Sequence, residues 1–239
     1  MNSKNVSLFF GLILLFYLGC SSTSVETNTE EPNDSEVQSN AIKLLSLGDS
    51  YTIGQSVCET CRFPEQLKDS LIERIENLTA ELKVIATTGW TTTNLKNAIA
   101  NENLGNDFDL ATLLIGVNNQ FQVRDFSIFE TEFPELVNDA IRFAKGEKEN
   151  LIVVSIPDYA FTPFGNGRST ISNGIDKYNN YIENYCNAND ITYIYITDIT
   201  REGLEKPELV ASDGLHPSAV AYSKFVSRML PEALKKLGL

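Results

Sequence analysis

Short apolar segments alternate with amphipathic segments from about residue 41 to the end of the chain. The apolar segments have the length and aliphatic content of buried strands, whereas apolar residues recur at helical spacing in the others. The predicted strands are 42–47, 82–87, 110–116, 151–156 and 191–196, and the predicted helices are 63–77, 91–100, 127–145, 171–186 and 217–236. This alternation predicts an α/β domain in which right-handed βαβ units build a five-stranded parallel sheet with helices on both faces.

Residues suited to chemistry follow several of the predicted strands. Ser50 comes after the first strand in a Gly-Asp-Ser turn, Gly89 comes after the second, and Asn118 comes after the third. Asp213 and His216 lie in Asp-Gly-Leu-His-Pro, between the fifth strand and the last helix. Parallel sheets bind their ligands at the carboxyl ends of the strands, so we expect these five residues to share one edge of the sheet.

The same five residues suit nucleophilic catalysis. A serine hydroxyl needs a base at neutral pH, and His216 is the one histidine of the chain. Asp213 can hold one imidazole nitrogen and leave the other for Ser50. The backbone N–H groups of Ser50 and Gly89 and the amide of Asn118 are candidate oxyanion donors. Each residue alone is more often a turn, loop or helix-start residue, but their joint placement favours catalysis.

Four short blocks, G-D-S-Y, T-G-W, G-V-N-N and D-G-L-H-P, resemble in the same order the blocks of the SGNH or GDSL hydrolases. The resemblance covers residues 41–239 and implies a flavodoxin-like three-layer α/β/α sandwich with esterase or lipase activity and no metal or organic cofactor. The roles that it implies are Ser50 as nucleophile and oxyanion donor, Gly89 and Asn118 as further donors, His216 as base and Asp213 as its partner. Asn119 stands where the family usually has aspartate, so we expect activity to survive with different support behind Asn118. Asp49 is predicted to be structural and to bind local backbone N–H groups.

The first 40 residues differ in composition from the rest. Their apolar stretch has the length of a signal-peptide core rather than of a membrane span. It ends in Y-L-G-C, which resembles a bacterial lipobox, although Tyr17 is unusual there. We expect residues 1–19 to be a lipoprotein signal peptide, Cys20 to carry the lipid, and the polar residues 20–40 to be a flexible tether. The protein would then be exported and lipid-anchored to a bacterial membrane, in the periplasm or at the cell surface. An ordinary cleaved signal peptide is the alternative.

The charge and the cysteines narrow the possible partners. A formal net charge of -13 repels phosphate backbones, so we expect no nucleic-acid partner. With one histidine and four cysteines, a zinc site of several such ligands is nearly excluded. Cys58 and Cys61 favour a structural disulfide in an exported protein, with a thioredoxin-like redox pair as the alternative. Cys186 is predicted to be a buried free thiol.

The sequence leaves the substrate open between an acylated small molecule, a carbohydrate and a lipid. Short-chain or carbohydrate O-acetyl esters are favoured, and a lysophospholipase-type acyl hydrolase is the alternative. A non-catalytic carbohydrate- or lipid-binding lipoprotein is a runner-up from another class, and we expect a monomer. The segment 157–170, which follows the fourth strand and contains two glycines, is predicted to be a mobile substrate loop. The aromatic residues that could border the pocket are Tyr51, Trp90, Phe121, Tyr159, Phe161 and Phe164.

Overall fold

The structure is a computed structural model that describes residues 40–239. The predicted signal peptide, the predicted lipidation site Cys20 and the predicted tether up to residue 39 lie outside the described residues. The tether prediction extends to residue 40, where the first strand of the structure already begins.

Five strands form one parallel sheet in the order β2-β1-β3-β4-β5. They are β1 (Asn40–Gly48), β2 (Leu78–Ala86), β3 (Leu110–Leu114), β4 (Leu151–Val154) and β5 (Thr192–Ile194). Each overlaps a predicted strand, and every residue of β3 and β4 is buried, as expected where helices cover both faces. The strand order is that of flavodoxin-like folds, so the prediction of a flavodoxin-like sheet is confirmed.

Residues 40–239 also form eight α-helices, five long and three short. They are α1 (Ser50–Ile53), α2 (Phe63–Arg74), α3 (Thr92–Asn101), α4 (Val117–Phe121), α5 (Phe126–Phe143), α6 (Ser169–Ala188), α7 (Thr197–Arg201) and α8 (Ala219–Leu237). The five long helices match the predicted ones. The short helices α1, α4 and α7 were not predicted, because four or five residues are too few to show a helical repeat of apolar positions.

The two faces of the sheet are covered by different helices. From β1 the chain moves across the sheet to β2 on one side, and from β2 onward it moves in the opposite direction to β3, β4 and β5. Right-handed crossovers therefore place α2 on one face and α3, α5 and α6 on the other. The packing agrees, since α2 contacts α8 and α3 contacts α5. Within residues 40–239, no helix is both long enough and apolar enough to cross a membrane.

Candidate active site

Ser50 is the first residue of α1, directly after the carboxyl end of β1. Asp49 caps this helix, because its Oδ1 accepts a hydrogen bond from the Tyr51 N–H at 3.0 Å. Asp49 is fully buried, and burial raises the pKa of its carboxyl to about 7, against the opposing effect of the Tyr51 and Gly116 N–H groups. The predicted structural role of Asp49 agrees with this geometry. The side chain holds the turn that presents Ser50.

Gly48 makes the close approach of β1, β3 and α1 possible. A Cβ atom at this position would lie 2.1 Å from Thr52 Oγ1 and 2.4 Å from the Leu114 carbonyl oxygen. Both distances are far below van der Waals contact, and the second neighbour is backbone that cannot move aside. The glycine of the Gly-Asp-Ser turn is therefore required by packing, and it lets α1 begin within two residues of the strand.

Gly89 and Asn118 lie on two segments that hydrogen bonds hold together. Gly89 has a φ of 85°, a conformation that favours glycine. Its carbonyl oxygen accepts from Gln122 Nε2 at 2.9 Å, which fixes the peptide group that follows Gly89. Asn118 Nδ2 donates to the Trp90 carbonyl oxygen at 3.0 Å, and this bond uses one of its two N–H groups. The helix α4, which carries Asn118 and has Gln122 as its C-cap, thus holds the Gly89 segment against Asn118.

Asn119 is fully buried and connects α4 to the start of α3. Its Oδ1 accepts from the Thr92 N–H at 3.0 Å, and its Nδ2 donates to Thr92 Oγ1 at 2.8 Å. The Thr92 hydroxyl in turn donates to Glu132 at 2.5 Å. Because the hydroxyl gives its proton to Glu132, it presents a lone pair to residue 119, which an amide can satisfy and a carboxylate cannot. These contacts support Asn119 in this chain, and the expectation that activity survives with asparagine at this position stays a prediction.

His216 and Asp213 form a short hydrogen-bonded pair. The distance from His216 Nδ1 to Asp213 Oδ2 is 2.6 Å. The other carboxylate oxygen, Oδ1, accepts from the backbone N–H groups of Leu215 at 2.9 Å and His216 at 3.0 Å. Burial would raise the pKa of Asp213, but the hydrogen bonds from Ser56, His216 and Leu215 outweigh burial and hold it well below its ordinary value. The carboxylate is therefore ionised at neutral pH, and the imidazole is held through Nδ1.

Ser50, Gly89, Asn118 and His216 border one open cleft of about 560 Å³ of empty space, which includes its mouth. Asp213 is not part of the cleft wall and contacts His216 through Nδ1. The other wall residues are Tyr51, Thr88, Val117, Phe121, Tyr159 and Leu215. No side chain of this wall carries a permanent charge, so the cleft suits a neutral substrate.

Three of the six aromatic residues expected at the pocket belong to the cleft wall: Tyr51, Phe121 and Tyr159. Phe164 packs against Phe121 with ring centroids 6.1 Å apart and extends this aromatic surface outward. Trp90 and Phe161 do not line the cleft, although the Trp90 carbonyl oxygen binds Asn118.

The segment 157–170, expected to be mobile, is anchored in the structure. Asp158 is fully buried and accepts hydrogen bonds from the Ala160 N–H at 3.0 Å, Ser172 Oγ at 2.7 Å and Arg201 Nε at 3.0 Å. Tyr159 follows it and donates through its hydroxyl to Gln120 Oε1 at 2.8 Å. These bonds describe a packed loop that fixes one wall of the cleft.

Cys58 and Cys61 are joined by a disulfide in the loop between α1 and α2. Cys186 is a buried free thiol in α6, and burial raises its pKa to about 12, which makes it a poor nucleophile at neutral pH. Sequence reasoning missed two supports of the site, Ser56 at Asp213 and Gln122 at Gly89. Gln122 could have been suggested by its position one helical turn after Asn118. Ser56 had no sequence signal, because its partner lies 157 positions away.

The sheet order defines a flavodoxin-like α/β fold, and a set of candidate catalytic residues lies at the carboxyl edge of its sheet. The sequence profile of the GDSL-like Lipase/Acylhydrolase family matches residues 46–224, and the chain belongs to this family. It is therefore an ester-hydrolysing enzyme. No curated protein has a sequence that matches this chain.

Several solved structures share the fold. A lipolytic protein of the G-D-S-L family from Veillonella parvula has a TM-score of 0.59 at 17% identity, with 80% of this chain and 97% of that chain covered. The acetylxylan esterase Axe2 from Geobacillus stearothermophilus gives 0.62 at 18% identity, with 84% and 96% covered. A lipase/acylhydrolase from Enterococcus faecalis gives 0.62 at 19% identity, with 80% and 94% covered. At these identities the likeness concerns the fold alone.

Proposed function

We propose that the chain is a serine esterase that uses Ser50 as nucleophile, His216 as general base and Asp213 as the partner of His216. The backbone N–H groups of Ser50 and Gly89 and the side-chain amide of Asn118 form its oxyanion hole. One observation carries the proposal: nucleophile, base and all oxyanion donors border a single uncharged cleft, and Asp213 binds the far side of the imidazole.

In the proposed reaction, Ser50 Oγ attacks the ester carbonyl carbon while His216 Nε2 accepts the hydroxyl proton. The hydrogen bond to Asp213 keeps the other proton of the ring on Nδ1 and stabilises the imidazolium. The carbonyl oxygen becomes an oxyanion that the three donors stabilise. His216 then gives its proton to the leaving alcohol as the ester C–O bond breaks. A water molecule repeats the sequence on the acyl-enzyme, which releases the carboxylic acid and restores Ser50.

For the substrate, we propose a short acyl group on a larger carrier, such as an acetyl ester of a carbohydrate. Tyr159 and Leu215 belong to the cleft wall and also to the wall of a narrow adjoining hollow. A short acyl group needs only the space in front of these two side chains, whereas a long acyl chain directed into the hollow would have to displace them, and packed side chains resist displacement. The open mouth of the cleft leaves room for the carrier.

The decisive experiment is the hydrolysis of nitrophenyl esters from acetate to palmitate by wild type and Ser50→Ala. We expect activity on short chains in wild type and essentially none in the variant. A fluorophosphonate should label wild type stoichiometrically and leave the variant unlabelled. Ser227→Ala is the matched control, because Ser227 is an exposed serine on α8 and binds only the local Lys224 carbonyl oxygen.

Each other outcome of this experiment has a distinct meaning. Equal activity in wild type and Ser50→Ala would remove Ser50 as the nucleophile. A preference for palmitate would replace the short-chain substrate with a lipid acyl ester. Failure of every ester and of fluorophosphonate labelling in wild type would favour a non-catalytic binding protein.

We also propose that the enzyme is an exported lipoprotein anchored through Cys20. The support is the sequence alone, namely the apolar core followed by Y-L-G-C and a polar tether. Wild type should incorporate radiolabelled palmitate in a bacterial host and enter the detergent phase, whereas Cys20→Ala should do neither. Equal labelling of both proteins would contradict this location.

A further inference from the structure

Ser56 contacts the candidate acid of the site from a distant part of the chain. Ser56 Oγ donates to Asp213 Oδ2 at 2.7 Å. The same oxygen binds His216 Nδ1 at 2.6 Å. Two backbone N–H groups already occupy Oδ1. Ser56 and His216 therefore share one carboxylate oxygen, and the roles assigned to Ser50, His216 and Asp213 give no task to Ser56.

The backbone holds Ser56 in an uncommon conformation. Its φ is 68°, in the left-handed region that residues other than glycine rarely adopt. Such a conformation persists where the surroundings fix it. Here the neighbouring Gln55 N–H donates to the Ser50 carbonyl oxygen at 3.0 Å, and Gln55 Oε1 accepts from Thr88 Oγ1 at 2.6 Å. The disulfide of Cys58 begins two residues later. The loop is thus tied to the nucleophile turn and to the residue before Gly89.

We propose that Ser56 is a positioning residue that acts through Asp213 on His216, and that the disulfide Cys58–Cys61, which begins two residues later in the same α1–α2 connection, helps to hold its hydroxyl in place. The inference rests on the proposed roles of Asp213 and His216. Ser56 does not line the cleft and does not touch the reacting atoms.

The physical effect of the hydroxyl follows from the partial exposure of Asp213. The Asp213 side chain is 29% exposed, so without Ser56 water would bind Oδ2 in changing geometries. A hydroxyl fixed by the backbone, although itself exposed, occupies that oxygen in one geometry and holds the lone pair that faces Nδ1. Loss of the hydroxyl therefore lets the carboxylate and the imidazole shift, which lowers the fraction of His216 that is aligned for proton transfer.

The test compares Ser56→Ala, Ser56→Gly and Ser56→Asn with wild type. Kinetics on nitrophenyl acetate should show kcat about 10-fold lower in the Ala and Gly variants, with KM within about twofold, as expected for the loss of one hydrogen bond to a charged group. Glycine relaxes the backbone at φ 68°, so an equal loss in Ser56→Gly assigns the effect to the hydroxyl. Asparagine tolerates this conformation and offers an N–H donor, so Ser56→Asn should recover part of the activity.

A second readout is independent of activity. Because His216 is the one histidine of the chain, the low-field NMR signal of its Nδ1–H proton in untagged protein reports the hydrogen bond to Asp213 directly. This signal should move upfield or broaden in Ser56→Ala, because the bond from Nδ1 to Oδ2 loses its fixed geometry. Thr60→Ala is the control in the same loop, because its hydroxyl contacts only the Cys58 sulfur, at 3.4 Å. It should match wild type in both readouts.

Wild-type kcat and an unchanged His216 Nδ1–H signal in Ser56→Ala would overturn the proposal. An equal loss in Thr60→Ala would also overturn it, since the effect would then belong to the loop as a whole. An inactive wild type in which Ser56→Ala still changes the Nδ1–H signal would instead refute the proposed esterase function and leave the Ser56 contact supported.

Discussion

The substitution Asp213→Asn tests how the candidate triad fixes the imidazole. An asparagine has one oxygen and one NH₂ group in place of two carboxylate oxygens. If the oxygen keeps the position of Oδ1, it accepts from Leu215 and His216 at 2.9 and 3.0 Å as the carboxylate does. The NH₂ group then faces His216 Nδ1 and donates to it. That bond places the ring proton on Nε2, where the imidazole cannot accept the proton of Ser50.

The opposite orientation of the asparagine amide keeps the ring proton of His216 on Nδ1, but it costs free energy because other hydrogen bonds are lost. Turning the amide places its oxygen towards His216 and its NH₂ group against two backbone N–H groups, which lose their acceptor. Each orphaned N–H costs about 1–2 kcal/mol at a site that is 29% exposed, or about 2–4 kcal/mol together. Since about 1.4 kcal/mol is a factor of ten, the productive orientation should be populated about 30- to 1,000-fold less. We expect kcat to fall by that factor and KM to change little, because Asp213 lies outside the cleft wall.

The assay is steady-state kinetics on nitrophenyl acetate for Asp213→Asn, His216→Ala and the double variant. If Asp213 acts only through His216, the double variant should be no worse than His216→Ala. Asp125→Asn is the matched control, because Asp125 also accepts a backbone N–H, from Ser127 at 3.0 Å, but lies on the exposed cap of α5. A loss in Asp213→Asn below about threefold, or losses that multiply in the double variant, would refute the reasoning.

Three further predictions follow from other parts of the site. Asn118→Ala should lower kcat by about 10²–10³ with the fold intact, since one oxyanion donor is lost; kinetics beside thermal unfolding checks this. Burial raises the pKa of Asp49 from 3.8 to about 7 in the folded protein. The free energy of unfolding should therefore fall by at most about 4 kcal/mol as the pH rises from 3.8 to about 7. In Asp49→Asn the free energy of unfolding, measured with denaturant, should not show this fall. If it fell with pH as steeply in the variant as in wild type, the prediction would be contradicted. Replacing Cys58 and Cys61 by serine should cost about 2 kcal/mol of unfolding free energy, because the closed loop is short, and should lower kcat; an unchanged kcat would argue against the loop's role.

The central strands could be predicted from the sequence because burial on both faces makes them continuously apolar. β3 and β4 are the clearest cases, and their ends are correct to within two residues. The placement of Ser50, Gly89 and Asn118 also followed, since a parallel sheet brings successive strand ends to one edge. Local sequence order therefore determined most of the architecture and the neighbourhood of the candidate site.

The parts that were missed depend on contacts between distant segments. α1 and α4 are short helices with no apolar repeat of their own, and the packing around Gly48 and Gly116 determines where they begin. The expected mobility of 157–170 rested on its length, its glycines and its position at the carboxyl edge of the sheet, and that mobility stays a prediction. The buried Asp158, whose partners lie on α6 and α7, has no local signal that reveals this anchoring.

The departure at Asn119 illustrates how the surroundings decide whether a substitution is tolerated. A carboxylate at this fully buried position would face the Thr92 hydroxyl, which already donates its proton to Glu132 of α5. Two buried carboxylates on either side of one hydroxyl would repel each other. The amide at position 119 therefore keeps α3 and α4 joined without a second buried charge. In Asn119→Asp a carboxylate oxygen would face the lone pair of the Thr92 hydroxyl, so two acceptors would meet. The asparagine at position 119 and Glu132 are therefore matched to each other through Thr92.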